Sequence, residues 1–457
     1  MGKLDNETNE EKQGCALCMN TEFDVPAEII HAVKKGDLVI FAGAGISTEG
    51  KNVYKSTLYA DINDELSESN NNTFPQLMTK YCEKPNGRRK LINKIIDRFD
   101  YYKSFPEIDN IMNKFFVPLS DIYSIKEIIT TNWDRQFEEK CGCMPIVYNE
   151  DISLLDDKKR KVYKIHGSID NVGTLIITEA DYEKCYNNLK ENLIGGRIKE
   201  LLSRKTVVFI GYSLDDEDFK KIWQFIDEKL GSLKPHFYIV SPDEKMVEKL
   251  KDKNVTVINA LGSTFVRKIR KQLINDKYLL NSDVLYNIVD IMLPMTFDVH
   301  QETNKMLKEK KEPLLIYSIC FQDGVIHSLE RILARKVYGE YLDPEFFHSS
   351  IDTYYMLYEG YVKIGNMFDA AYLFGYAHAM DYILYLYDCL NDNKTINFEN
   401  SISLYYLPRE KIYNDLDEFK KELKKYKTMK YINLANKMLL ELRNAEYKFD
   451  IHHLPFI

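Results

Sequence analysis

The sequence lacks the marks of a membrane-spanning or exported chain. No uninterrupted apolar stretch among its 457 residues reaches the roughly 18 residues that a membrane-spanning helix needs. The chain starts with MGKLDNETNEEKQG, which is polar and acidic and therefore unlike a signal peptide. We expect a cytoplasmic protein that does not act at a membrane.

Cysteine is too sparse and too scattered for a disulfide scaffold. The eight cysteines are spread along a long chain, which favours reduced thiols. Cys15 and Cys18 have the spacing of a zinc-binding pair, but no second such pair follows at the distance of a zinc ribbon. Cys141 and Cys143 are spaced more tightly than a zinc knuckle allows. We therefore expect no bound metal.

The chain also lacks an excess of positive charge. It carries 62 basic and 70 acidic residues, for a net charge of −8, which argues against a general nucleic-acid-binding surface. No direct binding of nucleic acid is therefore expected. With 45% hydrophobic residues, the chain can bury a large core and is long enough for two or three domains.

Three regions follow one another along the chain. Residues 1–23 are expected to be a flexible lead-in. From 24 to 271, strand-like runs alternate with helical patterns, which indicates a parallel α/β sheet, and residues 54–122 form a helical insertion within it. Residues 272–457 are almost entirely helical in pattern and predict a separate all-helical domain.

The strands of the sheet are predicted from short apolar, β-branched runs. They are expected at 38–41, 127–130, 161–165, 174–177, 206–210, 237–240 and 255–258.

The first strand runs directly into glycine. Leu38-Val-Ile-Phe41 is followed by Ala-Gly43-Ala44-Gly45-Ile-Ser47, and glycine in this position allows a sharp turn and close approach of backbone N–H groups to a phosphate. The loop lacks the third glycine of a dehydrogenase fingerprint and the Gly-Lys pair of a nucleotide triphosphatase. An ordinary tight turn would produce the same short pattern.

Polar side chains follow the second strand, in Thr130-Thr-Asn132-Trp-Asp134. This is the strand end at which ligands bind in open α/β sheets. Asn132 can both donate and accept hydrogen bonds, which suits a ribose hydroxyl or a water, and Asp134 can accept from an amide. The alternative is a turn in which either side chain caps the backbone.

Two further motifs end later strands. His166 follows a strand in Lys-Ile-His-Gly, and its ordinary pKa suits general-base chemistry near neutral pH. Gly211 and Ser213 follow the strand at 206–210. Ser213 can bind a phosphate or ribose oxygen or cap the next helix, and His166 can equally be a buried core or capping group.

The four motifs, in this order, resemble the NAD-binding core of the sirtuin family, over about residues 37–266. The resemblance implies a Rossmann-like fold in which NAD is the substrate. Gly43, Ala44, Gly45 and Ser47 would hold the NAD phosphates, and Ser213 would lie on the adenosine side. Asn132 would lie by the nicotinamide ribose, Asp134 would bind the carboxamide, and His166 would be the general base. Thr130 and Gly211 would complete the NAD-binding residues.

The chain departs from protein-deacylating sirtuins in three places. Residues 48–55 lack the Gly-Ile-Pro-Asp-Phe-Arg flap, residues 167–211 contain one cysteine, Cys185, instead of a four-cysteine zinc ribbon, and Thr131 replaces the usual Gln. The pattern is similar to sirtuin-like effectors of bacterial anti-phage systems, which hydrolyse NAD to nicotinamide and ADP-ribose. A non-catalytic NAD or ADP-ribose sensor and an NAD-dependent deacylase are the alternatives.

An unrestrained NAD hydrolase would be toxic, so the chain is expected to be regulated. The aromatic-rich helices beyond residue 272 offer more apolar surface than a helical domain of this size needs. The expectation is a homo-oligomer that forms through this domain, together with a partner or activator protein of a defence system.

Overall fold

The computed structural model describes residues 23–47, 56–67, 72–154, 158–212, 217–230, 235–250, 254–310, 312–392, 402–409, 411–444 and 450–455. The chain divides into two compact units, Met1–Tyr278 and Leu279–Ile457. The division falls seven residues beyond position 271 because the helix Gly262–Asn275 continues through that position.

The first unit is built on one parallel sheet. Its strands are β1 (Leu38–Ala42), β2 (Glu127–Thr130), β3 (Met144–Ile146), β4 (Lys161–Lys164), β5 (Thr206–Ile210), β6 (Phe237–Val240) and β7 (Val255–Ile258). They lie in the order β3-β4-β2-β1-β5-β6-β7, and each neighbouring pair is parallel. The Rossmann-like fold expected from the sequence is confirmed.

Helices flank and connect these strands. They are α1 (Ala27–Lys35), α2 (Leu58–Leu66), α3 (Phe74–Cys82), α4 (Gly87–Ser104), α5 (Pro106–Asp121), α6 (Gln136–Cys141), α7 (Glu179–Glu191), α8 (Leu193–Arg204), α9 (Glu217–Leu230), α10 (Glu244–Leu250) and α11 (Gly262–Asn275). One continuous core joins sheet residues such as Phe41, Phe209 and Phe237 to α8 and α9.

One predicted strand is wrong and one strand was missed. Residues 174–177 do not join the sheet, because Leu175 and Ile177 bury their side chains in a cluster with α2, α3 and α4 of the helical insertion. The seventh strand is instead Met144–Ile146, which pairs with β4 at the edge of the sheet. Pro145, which lacks a backbone N–H, is tolerated on an edge strand.

The second unit is mainly helical. Its elements are α12 (Ser282–Lys310), α13 (Leu315–Ala334), α14 (Pro344–Ile364), α15 (Met367–Asn391), β8 (Tyr405–Tyr406), β9 (Ile412–Tyr413), α16 (Leu416–Lys425) and α17 (Met429–Asn444). The helical C-terminal region expected from the sequence is confirmed, and it also contains one short antiparallel pair, β8 and β9. Two buried side chains of α13 hold this hairpin: Ser318 bonds both backbone groups of Tyr406, and Gln322 donates to the Leu404 carbonyl. No helix in the described ranges is long and apolar enough to cross a membrane.

Helices α13 and α15 meet through glycine. A Cβ atom on Gly375 would lie 1.9 Å from the Phe321 carbonyl oxygen, and one on Gly324 would lie 2.0 Å from that of Tyr372. Both distances are far shorter than a van der Waals contact, so the two backbones can approach this closely only because neither position has a side chain.

Gly375→Ala is expected to destabilise the protein by about 1–3 kcal/mol, because the added methyl group forces α13 and α15 apart. The measurement is chemical denaturation with Gly360→Ala as the matched control. A Cβ at Gly360, also inside a helix, meets no atom within 4 Å, so this variant should gain roughly 0.5–1 kcal/mol of helix stability. Equal stability of the two variants would contradict the close-packing argument.

Candidate functional site

The four sequence motifs follow the C-terminal ends of four adjacent strands. Their strands are the adjacent β4, β2, β1 and β5, and the last residues are register partners, with Ala42 opposite both Thr130 and Ile210, and Thr130 opposite Lys164. The chain order reverses direction between β1 and β5, which is the switch point where open α/β sheets bind ligands. Parallel register therefore places all four motifs at one edge.

Glycine at this switch point serves close backbone packing. Gly211 has a φ of +80°, and a Cβ atom there would lie 2.8 Å from the Ile46 nitrogen. A Cβ on Gly43 or Gly45 would lie 2.7 or 2.8 Å from the Gly211 oxygen. The N–H groups of Gly43 and Gly45 donate to the carbonyls of Ile210 and Gly211. In this conformation these two donors are used inside the protein, and their role in holding phosphate stays a prediction.

A directional chain of hydrogen bonds joins the first two motifs. Ser47 Oγ donates to Asp134 Oδ2 at 3.1 Å, and Asn132 Nδ2 donates to Ser47 Oγ at 3.4 Å. Ser47 Oγ has one hydrogen, which it donates to Asp134, so Ser47 accepts from Asn132. The direction of the chain therefore fixes which end of the Asn132 amide faces Ser47.

The opposite end of that amide is unused. Asn132 is 7% exposed, and no atom in the described part of the chain hydrogen-bonds to its Oδ1, which is shielded from solvent. Thr130 fixes the backbone beneath it: Thr130 Oγ1 donates to the Ala42 carbonyl and accepts from the Asn132 N–H. A buried acceptor without a partner costs about 1–3 kcal/mol. The site therefore holds one oriented oxygen that a ligand hydroxyl or a water would satisfy.

Asp134 is already engaged by the protein. Its Oδ1 accepts the N–H of Gln136 at 3.0 Å, at the start of α6, while its Oδ2 accepts from Ser47. In this arrangement it orients Ser47 and the turn into α6. Contact with a carboxamide, as the resemblance implies, stays a prediction.

Lys164 is a site residue that the sequence analysis did not assign. It is 2% exposed, donates to the carbonyls of Trp133 and Asp134, and pairs with Glu138 at 2.9 Å. Burial raises the pKa of Glu138 above its usual value, and Lys164 opposes that shift. The sequence signal that could have identified Lys164 is its charged side chain at the end of a buried strand, directly before Ile-His-Gly.

His166 lies against α7. Its side chain is 1% exposed, its Nε2 is 3.3 Å from the Tyr186 hydroxyl, and its ring meets that of Tyr182 edge-on at 5.0 Å. Both tyrosines line a cleft of about 390 Å³ between α3, α7 and α9. His166 therefore contacts the two tyrosines that line this cleft. Asn132, in contrast, is hydrogen-bonded to Ser47.

Some predicted features lie outside the described residues. These are Ser213, the segment 48–55 where the deacylase flap would occur, and Cys15 and Cys18. The six described cysteines form no disulfide. Burial raises the pKa of Cys141, whose thiol reaches the Phe116 carbonyl, to about 12.

Lys164→Met is expected to lower the free energy of unfolding by about 3–5 kcal/mol at neutral pH, because Glu138 would be left buried without its partner. Since the pKa of Glu138 is already raised in the folded protein, folding favours its protonated form. The loss in the free energy of unfolding caused by Lys164→Met should therefore become smaller as the pH falls through the pKa of Glu138.

Denaturation across a pH series measures this, with Lys140→Met as the control. Lys140 pairs with Asp109 in a partly exposed ion pair, so its loss should cost at most about 1 kcal/mol. The account fails if the two variants lose equal stability, or if the Lys164 deficit grows at lower pH.

Comparison with known proteins identifies the domain. Residues 126–258 match the family model of the SIR2-like domain, which includes β2 to β7 and the motifs of Asn132, His166 and Gly211. This part of the chain is thus similar to SIR2-like domains.

Three relatives are similar to part of the chain. The chain is 30% identical over 211 residues to a protein of Cytobacillus dafuensis named NAD(+) hydrolase ThsA, covering 45% of this chain and 41% of that protein. A protein of the same name from Enterococcus faecium is 29% identical, and the match covers 46% of this chain and 44% of that protein. A Bacillus subtilis protein named defense-associated sirtuin 2 is 26% identical, covering 51% and 24%. The matched region spans less than half the length of these relatives.

Proposed function

We propose that this protein is an NAD⁺ glycohydrolase that releases nicotinamide and ADP-ribose and depletes NAD in anti-phage defence. The observation that carries the proposal is the buried, oriented and unpartnered Oδ1 of Asn132 at the switch point of the sheet. The printed names of the relatives, two of them NAD(+) hydrolases and one a defense-associated sirtuin, support the substrate and the setting.

The chemistry needs few groups. The bond between the ribose C1′ and the nicotinamide nitrogen breaks, the electron pair leaves with nicotinamide and neutralises its positive charge, and the ribose passes through an oxocarbenium-like state. A water adds its oxygen to C1′ and gives up one proton. Asn132 Oδ1 accepts from that water or from a ribose hydroxyl and so fixes its position, which lowers the entropic part of the barrier.

His166 is the proposed acceptor of the proton. A general base must lie within about 2.6–3.2 Å of the proton donor or act through one bridging group. The Tyr186 hydroxyl, 3.3 Å from His166 Nε2 and part of the cleft wall, supplies such a bridge. In this proposal the Tyr186 hydroxyl takes the proton from the water and passes its own proton to His166 Nε2.

Two alternatives make different predictions. A sensor would bind NAD or ADP-ribose through the same groups without releasing nicotinamide. A deacylase would consume NAD only with an acylated peptide, and the absence of the cysteine ribbon between positions 167 and 211 disfavours it. Incubation of the purified chain with NAD alone, and with NAD plus acetylated peptide, separates all three functions.

Asn132→Ala is expected to lower the rate of nicotinamide release by about 10²–10³-fold, because it removes a preorganised hydrogen-bonding group at the reacting ribose. His166→Ala should lose about 10²–10⁴-fold, as for other general bases. Chromatography of nicotinamide and ADP-ribose gives the rates, both with purified protein and in extracts of infected bacteria that express the chain.

The matched control is Asn188→Ala, which removes an exposed asparagine from α7 and should retain the parental rate. Circular dichroism and thermal unfolding verify that each variant folds. A folded Asn132→Ala protein with the parental rate would overturn the assignment of Asn132.

We also propose that the second unit mediates self-assembly and, with a partner protein, regulation. Its helix α14 exposes apolar side chains at Met356, Leu357 and Ile364, which are 67%, 38% and 75% exposed. Leu357 and Ile364 are seven residues apart and so lie on one face of the helix. A surface of this kind is typical of an interaction site.

Leu357→Glu combined with Ile364→Glu should weaken self-association at least about tenfold, because two charges per chain would have to be buried at the interface. Light scattering over a concentration series gives the mass of the assembly. Leu440→Glu, at a 60% exposed position of α17, is the control and should assemble normally. A monomeric parental chain, or unchanged assembly of the double variant, would contradict this proposal.

A further inference from the structure

A short C-terminal segment is fastened to two helices of the second unit. The Ile451 N–H donates to Asn304 Oδ1 on α12 at 2.9 Å, and Asn304 Nδ2 donates back to the Ile451 carbonyl at 3.3 Å. The His453 N–H donates to Asp323 Oδ2 on α13 at 2.7 Å. These backbone bonds on either side of His452 fix where its ring lies.

These hydrogen bonds bring together three side chains of types that bind metals, although the residues are far apart in sequence. His300 Nε2 and His452 Nδ1 each lie 3.1 Å from Asp323 Oδ1, and the ligand atoms of all three residues lie within 4.8 Å of one another. Two ligands about 2.0–2.1 Å from a tetrahedral zinc ion are roughly 3.3 Å apart. The spacing is therefore close to that of a coordination sphere.

His300 supplies a second, independent observation. It is 2% exposed, and although its Nε2 is close to Asp323, no described atom forms a hydrogen bond with that nitrogen. At Asp323 Oδ1, His452 Nδ1 forms a hydrogen bond at 3.1 Å, whereas His300 Nε2 comes equally close without hydrogen-bond alignment. Close approach without alignment is the geometry that a shared ion produces. A buried polar nitrogen without a hydrogen bond is otherwise costly.

We propose that His300, Asp323 and His452 form a site for a divalent transition-metal ion of the zinc class. Two imidazoles and one carboxylate are a ligand set that zinc accepts, with a fourth position left for water. The His452 ring, stacked on His300 at 4.7 Å, rotates to coordinate, and at 56% exposure it has room to do so. The ion ties residues 450–455 to α12 and α13.

This proposal differs from the sequence expectation of no bound metal. That expectation rested on cysteine spacing, whereas these ligands come from two helices and the C-terminal segment. His300 and Asp323 are 23 residues apart in the sequence, and Asp323 and His452 are 129 residues apart, so the three form no local sequence motif.

The experiment measures zinc binding to the full chain after chelator treatment, by titration against a chromophoric zinc competitor, with elemental analysis of the dialysed complex. The expected result is about one zinc per chain and a higher unfolding temperature with zinc than without, since an ion that binds the folded state stabilises it.

His452→Ala removes the exposed ligand and leaves the buried pair intact, so it should fold, lose more than about tenfold in zinc affinity, and lose the zinc-dependent rise in unfolding temperature. Asp323→Asn should behave in the same way. His348→Ala, which removes an exposed histidine from α14, should bind zinc like the parental chain. Absence of micromolar zinc binding by the parental chain, or parental affinity in folded His452→Ala, would overturn the proposal.

Discussion

The site depends on the register of four adjacent parallel strands. Because β4, β2, β1 and β5 end opposite one another, residues more than 160 positions apart in the chain reach the same edge of the sheet. Gly211, at +80° in φ, lets the loop after β5 contact the loop after β1. Displacement of either strand by one residue would separate these loops and reverse the side chains along it.

The hydrogen bonds at this edge of the sheet form a series with one direction, from Lys164 to Asn132. Lys164 holds the turn that carries Asp134, Asp134 orients the Ser47 hydroxyl, and Ser47 orients the amide of Asn132. Each group has one way to satisfy its donors and acceptors, so a buried charge at one end determines the direction of an unpartnered oxygen at the other. Leaving that oxygen buried without a hydrogen bond lowers the stability of the folded protein. A preorganised polar group of this kind is what the proposed hydrolysis would use.

Local pattern was enough for most of the sheet and for the positions of the motifs. It failed where tertiary packing decides: Leu175 and Ile177 alternate like a strand but pack on the helical insertion, and the three-residue β3 is too short to predict. In the second unit, the helical pattern expected over 272–457 gave no sign of the two-residue strands, yet Ile412 lies in β9 and α16 begins behind the Asp415 cap. The His300 cluster joins distant residues, so no spacing in the sequence could reveal it. The only sequence signal for the Lys164 network was a charged side chain at the end of a buried strand.

The central claim is that this site transfers the ADP-ribosyl group of NAD to water. The most direct measurement is product analysis after incubation of the purified full-length chain with NAD in isotopically heavy-oxygen water. The account predicts equal amounts of nicotinamide and ADP-ribose, with one heavy oxygen in the ADP-ribose, and no requirement for an acylated peptide. Bound but intact NAD, or ADP-ribosyl products that contain no oxygen from water, would contradict it.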